Sequence, residues 1–190
     1  MTPVPLDKAY RLLNHGPTVL AGSSHAGRSN VMAAAWAMPL DFDPPKVAVV
    51  IDKATLTRQL VDASGLLSLS VPCLAQAELT RAVGGESGLD HPDKLARCGA
   101  LFEPGPHTGC PLVQEAIAWM ECRVLPATAH VAGPHDLILA EVLAAWADER
   151  VFSQGRWHFE NAPDALRSLH HVAGGFFYAV GEPVVPERGH

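Results

Sequence analysis

The sequence predicts a mainly β fold, a small antiparallel barrel with peripheral helices. The prediction rests on short β-rich apolar runs that recur along the chain between Gly, Pro and Asp turn chemistry, and on strand-like segments that outnumber helical ones. A strand, a polar turn and a helix start also follow one another in the first third of the chain.

Residues 18–23 form a β-rich run after Gly16 and Pro17, and His25-Ala26-Gly27-Arg28 interrupts it with turn chemistry, which predicts a hairpin. The next run, 30–38, is closed by Pro39 and by Asp43-Pro44-Pro45, and these prolines exclude a long helix. Residues 46–51 are continuously apolar beyond Lys46, the pattern of a strand buried on both faces, and the run ends at Asp52-Lys53. From there the period changes. Leu56, Leu60, Val61 and Ser64 share one helical face, with Thr55 or Ala54 near the cap and Gly65 just past the end.

Residues 66–71 alternate Leu and Ser, which predicts a half-buried strand ended by Pro72. A helix is predicted over 74–83. The irregular stretch 84–109, with a helical turn at Pro92-Asp93-Lys94-Leu95, is read as a lid or a dimer contact. Residues 113–125, 127–131 and 137–147 read as strands with a Gly133-Pro134-His135-Asp136 turn before the last, although the Ala-rich 139–147 also fits a helix. The segment 169–180 ends the pattern and 183–190 is a tail. No repeat or linker divides the chain, so residues 1–190 are expected to form one domain.

Composition excludes several classes. Of 190 residues 48% are hydrophobic, and 14 Lys and Arg against 20 Asp and Glu give a net charge of -6 without any basic block. Nucleic acid and anionic membranes are therefore not expected partners. The longest apolar runs fall short of the roughly 20 residues that span a bilayer. The N-terminus lacks a basic start and an apolar signal core, so a soluble cytoplasmic protein is expected. The cysteines, Cys73, Cys98, Cys110 and Cys122, make no CxxC pair and read as buried free thiols. His107 and Cys110 make an HxxC spacing without a second ligand pair, so no metal site is expected.

At the start of the helix near 55, free N–H groups and the positive dipole end would meet Lys53, Thr55 and Thr57, an arrangement suited to a phosphate monoester. The chain has no GxxxxGK[ST] loop, no GxGxxG after a strand and no G-x-S-x-G elbow. Paired carboxylates are missing too. Thin acid–base chemistry points to a bound cofactor carrying the reaction. Taken singly, Trp36 reads as core, Lys94 as a solvated charge, His135 as a turn residue, and His170 and His171 as a pair facing opposite ways on a strand.

Taken together, several blocks resemble the flavin reductase-like, FMN-binding split-barrel family that includes flavoredoxins. They are 27–36, 42–51 and 53–57, then His91-Pro92-Asp93-Lys94-Leu95, Gly133-Pro134-His135-Asp136 with the strand after it, and Gly174-Gly175-Phe176-Phe177-Tyr178. The resemblance implies a Greek-key antiparallel split barrel, a homodimer with FMN near the subunit interface, and reduction of the flavin by NADH or NADPH. Asn30, Val31, Met32, Ala33 and Trp36 would line the isoalloxazine ring. Lys53, Ala54, Thr55 and Thr57 would hold the phosphate, Lys94 would belong to the cofactor site, and His135 would serve catalysis beside the nicotinamide or the flavin edge. Electrons would go to free flavin, a monooxygenase partner or another acceptor. Ala54 replaces a frequent Ser, Leu95 an aromatic residue, and Pro134 the Asp of the family's Gly-Asp-His motif. The last change suggests an alternative, an FMN-binding electron carrier or sensor module without NAD(P)H activity. A haem-binding split-barrel relative is a further reading, since the ten His could supply an axial ligand.

Overall fold

A computed structural model describes residues 1–186. The predicted tail 183–190 lies partly outside the described residues. In chain order the elements are β1 (Thr2–Pro3), α1 (Leu6–Ala9), β2 (Val19–His25), β3 (Arg28–Ala34), β4 (Ala37–Phe42), β5 (Pro45–Val50), α2 (Leu56–Ser64), β6 (Leu66–Val71), α3 (Ala77–Gly85), α4 (Lys94–Arg97), β7 (Phe102–Pro104), β8 (Pro111–Val113), β9 (Ala118–Val124), α5 (Ala132–His135) and β10 (Leu137–Ala147). The short strands β11 (Phe152–Ser153), β12 (Arg156–Trp157), β13 (Leu169–Ala173) and β14 (Phe176–Ala179) follow.

The main sheet is antiparallel, in the order β3-β2-β6-β9-β10-β5-β4, with β1 added beside β10. Its two end strands, β3 and β4, are consecutive in the chain and separated only by Ala35 and Trp36. Those ends must meet at that corner, so the sheet curls into a barrel that stays split between them. Val50 N–H fastens the corner by donating to the Trp36 carbonyl over 2.9 Å. The β2–β3 hairpin turns as predicted, with Ala26 at φ 49° and Gly27 at φ 77°, the positive pair that a type I′ turn requires.

The barrel interior is filled from β2, β5, β6, β9 and β10 by residues such as Val19, Val49, Leu67, Leu69, Met120 and Ile138, all at 0% exposure. Each such burial contributes roughly 1.5–3 kcal/mol. Helix α2 packs Leu60 and Val61 inward, as the sequence predicts; Thr55 Oγ1 accepts from Arg58 N–H at its start, and Gly65, at φ 68°, ends it in the left-handed region.

Several expectations need correction. The strand β6 is buried on both faces. Its Ser68 hydroxyl donates to the Pro111 carbonyl (2.6 Å) and its Ser70 hydroxyl accepts from Val113 N–H (3.1 Å), because β8 covers the face that alternation leaves to water. The predicted strand 127–131 is a 3-10 turn, Pro126–His130, leading into α5, so His135 stands in a one-turn helix instead of a hairpin turn. Pro39 lies inside the edge strand β4, where a missing N–H costs little. The run 113–125 breaks at Gln114–Ile117 between β8 and β9, and the predicted helix 74–83 is a 3-10 turn followed by α3. Cys73, Cys110 and Cys122 are buried and burial pushes their thiols up, whereas Cys98 is only half-buried. No helix among the described residues is long and apolar enough to cross a membrane.

Candidate functional site

The corner where β3 meets β4 opens into a cleft of about 520 Å³. Met32, Ala33 and Ala34 of β3 form one wall with Ala35 and Trp36 from the corner. Val50 and Asp52 stand at the end of β5, and Thr80, Arg81, Gly84 and Gly85 come from α3. His171, Gly175 and Phe177 of the β13–β14 hairpin close the far side, next to Thr18. The strand docks there through His171 N–H to Thr18 Oγ1 (2.9 Å) and Thr18 N–H to the Leu169 carbonyl (2.7 Å).

The register of the hairpin decides what β3 offers this cleft. Its closing pair, His25 and Arg28, is hydrogen-bonded, and the alternation of an antiparallel ladder makes Ser23↔Asn30 and Ala21↔Met32 hydrogen-bonded pairs too. Ser29, Val31 and Ala33 therefore turn their N–H and C=O groups away from β2, toward the free edge of the sheet. The Val31 carbonyl on that edge accepts from Lys94 Nζ at 2.9 Å. Ala33, the next outward residue, lines the cleft with a donor and an acceptor side by side that have no partner among the described residues. Helix α3 comes close to it because Gly84 has no side chain; a Cβ there would sit 3.1 Å from the Ala33 Cβ.

Beside the cleft, Asp52 leads into the start of α2. Asp52 Oδ1 accepts from Ala54 N–H (2.8 Å), and the Thr55 hydroxyl donates to the Asp52 carbonyl while its oxygen caps Arg58 N–H. With Arg58 N–H capped and Gln59 N–H bonded to the Thr55 carbonyl, the first-turn donors of Leu56 and Thr57 are left over. Lys53 and Ala54 are exposed. Thr57 is fully buried and its Oγ1 accepts from Asn30 Nδ2 at 2.9 Å. Arg58, also buried, holds the helix start in place: Nη1 donates to the Ile51 carbonyl (2.9 Å), Nη2 to the Ala132 carbonyl (3.1 Å), and Nε to Asp62.

Of the sequence-predicted residues, Met32, Ala33 and Trp36 line the cleft. Trp36 is 75% exposed, not core. Asn30 and Val31 lie behind it, in the buried layer. Lys53, Ala54, Thr55 and Thr57 cluster at the α2 start, next to Asp52 on the cleft wall. Lys94 is 2% exposed, not solvated; its ammonium braces the edge of β3 from outside the cleft, and burial lowers its pKa. His135 is exposed on α5 and does not line the cleft. His170 and His171 do face opposite ways, His170 Nδ1 on the Gly16 carbonyl and His171 on the cleft. Sequence reasoning missed Arg81 and His171 as site residues. The glycine–aromatic run 174–178 was the available signal for the hairpin, whereas nothing in the helix pattern of 74–83 marks Arg81.

An antiparallel split barrel with an apolar cleft at an open strand edge, flanked by a capped helix start, defines a flavin reductase-like fold. The flavin reductase like domain model matches residues 10–167, and the chain belongs to that family. The crystal structure of an FMN-binding domain of a flavin reductases-like enzyme from Shewanella baltica superposes with a TM-score of 0.95 at 47% identity, covering 98% of this chain and 97% of that one. Escherichia coli YddH is 47% identical over 96% of both chains. The NADH-dependent FMN reductase RutF of Variovorax paradoxus is 27% identical over 82% of this chain and 84% of its own length.

Proposed function

We propose that the chain is an FMN-dependent oxidoreductase that takes electrons from NADH or NADPH. The observation that carries this reading is the unpaired N–H and C=O of Ala33 on an apolar cleft wall, beside a helix start with spare donors. A flat ring with a polar edge and a phosphate tail fits that donor set, and FMN is such a molecule. Bound FMN would supply two-electron redox chemistry between a nicotinamide donor and an acceptor.

The chain's own residues position it. Ala33 offers its backbone pair to the polar edge of the ring, and Met32 and Trp36 supply apolar contact. Lys53, Thr55 and the Ala54 segment hold the phosphate through the α2 dipole and charge-assisted bonds, and the buried Thr57 fixes the helix start beneath them through Asn30. Asn30, Val31 and Lys94 keep strand and helix in register from behind. The exposed apolar residues Trp36 at the corner and Met38 and Leu40 on the edge strand β4 share one side, while the bulge between Pro39 and Asp41 turns Phe42 to the other side near Tyr10; the Trp36 side is the face for a second copy, which would complete the cleft at that corner.

A second reading, an FMN carrier or sensor without NAD(P)H activity, is favoured by Pro134 and by His135 lying off the cleft. Purified protein titrated with FMN and then mixed anaerobically with NADH or NADPH separates the two. Flavin bleaching supports the reductase; tight FMN binding with no bleaching, but full reduction by dithionite, supports the carrier. Retention of FMN by a folded Lys53→Ala/Thr57→Ala variant with wild-type affinity would overturn the phosphate assignment.

A further inference from the structure

Arg81 stands where two walls of the cleft come together. Its ion-pair partner is Glu78, at 3.2 Å on the same helix, and the two side chains are 64% and 89% exposed. Such a pair is worth little and leaves the guanidinium free to take another partner. A Cβ at Gly175 would lie 3.7 Å from Arg81 Cδ, and Gly175 sits at φ +79°, a conformation that L side chains rarely adopt. The Arg81 stem therefore lies beside the hairpin turn, and the residue lines the cleft where α3 and the hairpin face each other.

His171 adds a ring-nitrogen hydrogen-bonding group on the hairpin side, with its ring packed edge-on to Phe177 at 5.5 Å. The carboxylate on the cleft lining is Asp52, and it is engaged by the Ala54 N–H. Apolar walls with a guanidinium at the rim, held only by an exposed ion pair on its own helix, suit a flat or aromatic molecule that carries a negative group.

We propose that Arg81, assisted by His171, recognises an anionic group on the molecule that meets the cofactor, so that the second reactant is a flat or aromatic carboxylate or phosphate. This specificity site rests on the reading of the cleft as the FMN site. The anionic group has two sources, a carboxylate on an electron acceptor or a phosphate on the electron donor.

The test uses FMN-loaded protein titrated with benzoate, phenyl phosphate and benzamide, followed by flavin absorbance and by tryptophan fluorescence. At least one anionic probe should bind about tenfold more tightly than neutral benzamide. Benzoate preference points to a carboxylate acceptor and phenyl phosphate preference to a phosphorylated donor. Arg81→Met should remove the preference and Arg81→Lys should restore part of it, while FMN affinity stays at the wild-type value in both. Equal binding of the three probes by the wild type overturns the proposal. So does a loss of FMN affinity in Arg81→Met, which would assign the guanidinium to the cofactor itself. If the wild type takes up no FMN, the cofactor reading falls, and the Arg81-dependent preference read by tryptophan fluorescence decides the anion site independently.

Discussion

Asn30 Nδ2 donates to Thr57 Oγ1 over 2.9 Å, and both residues are buried. This bond ties β3, whose next turn of strand lines the cleft, to the first turn of α2. In the proposed FMN site, movement of either element would separate the residues assigned to the ring from those assigned to the phosphate.

Removing either partner should loosen that tie. Asn30→Ala and Thr57→Val are each expected to weaken FMN binding about tenfold, and the double variant should lose less than the product of the two. A coupling near 1 kcal/mol in the double-mutant cycle is the expected result. Strict additivity in fluorescence titrations would show that the bond does not organise the site.

The apolar row on β4 makes a prediction about assembly. Met38 is 55% exposed and Leu40 47%, on one side of a strand that ends the sheet, an edge of the kind that invites association. Sedimentation should find dimers of the 20.2 kDa chain, and Met38→Lys with Leu40→Lys should give folded monomers. A wild-type monomer at micromolar concentration would refute this.

His15 makes stability pH-dependent. It packs against Trp157 with ring centroids 5.1 Å apart, and burial, helped by the neighbouring His170, lowers its pKa from 6.5 to about 4. The unfolded chain therefore binds the proton first as pH falls. The contribution is fully present above pH 6.5 and is lost progressively down to about pH 4, amounting to about 3 kcal/mol. Urea denaturation as a function of pH should show this fall, and His15→Phe should flatten it. An unchanged profile in that variant would place the dependence elsewhere.

Glu121 is fully buried in β9, where its carboxylate accepts from Thr108 N–H (2.7 Å), Thr108 Oγ1 (2.6 Å) and His107 N–H (3.1 Å). These bonds clasp the 105–110 loop onto the sheet. Glu121→Gln replaces one accepting oxygen with a donor that faces other donors, and should lower Tm by about 5 °C. Gly105→Ala should cost more, since a Cβ there would overlap the Glu121 carboxylate. Calorimetry on both variants checks the order, and an unchanged Tm in Glu121→Gln would refute the clasp.

Local chemistry was legible in the sequence wherever a neighbour in the chain decides the conformation. The Ala26-Gly27 turn, the Thr55 cap, the Gly65 stop and the β5 strand are set by φ preferences, side-chain capping and apolar runs, all of which act over a few residues. The same locality made the capped, donor-bearing start of α2 readable. The stretch 126–135 was misread because its apolar, β-tolerant composition does not settle its conformation, and packing against β10 and Arg58 selects a helical path there.

The sequence by itself determined a mainly β chain with a donor-rich helix start and the ordered blocks of a flavin reductase-like protein. Only the tertiary structure decided that Ser68 and Ser70 are covered, that Lys94 is buried against Val31, that Trp36 stands in the open, and that Arg81 and His171 share the cleft while His135 does not. Each of these depends on which segment comes to lie against which strand edge. Period and propensity carry no record of that, because burial and hydrogen-bond partners are assigned by residues distant in sequence.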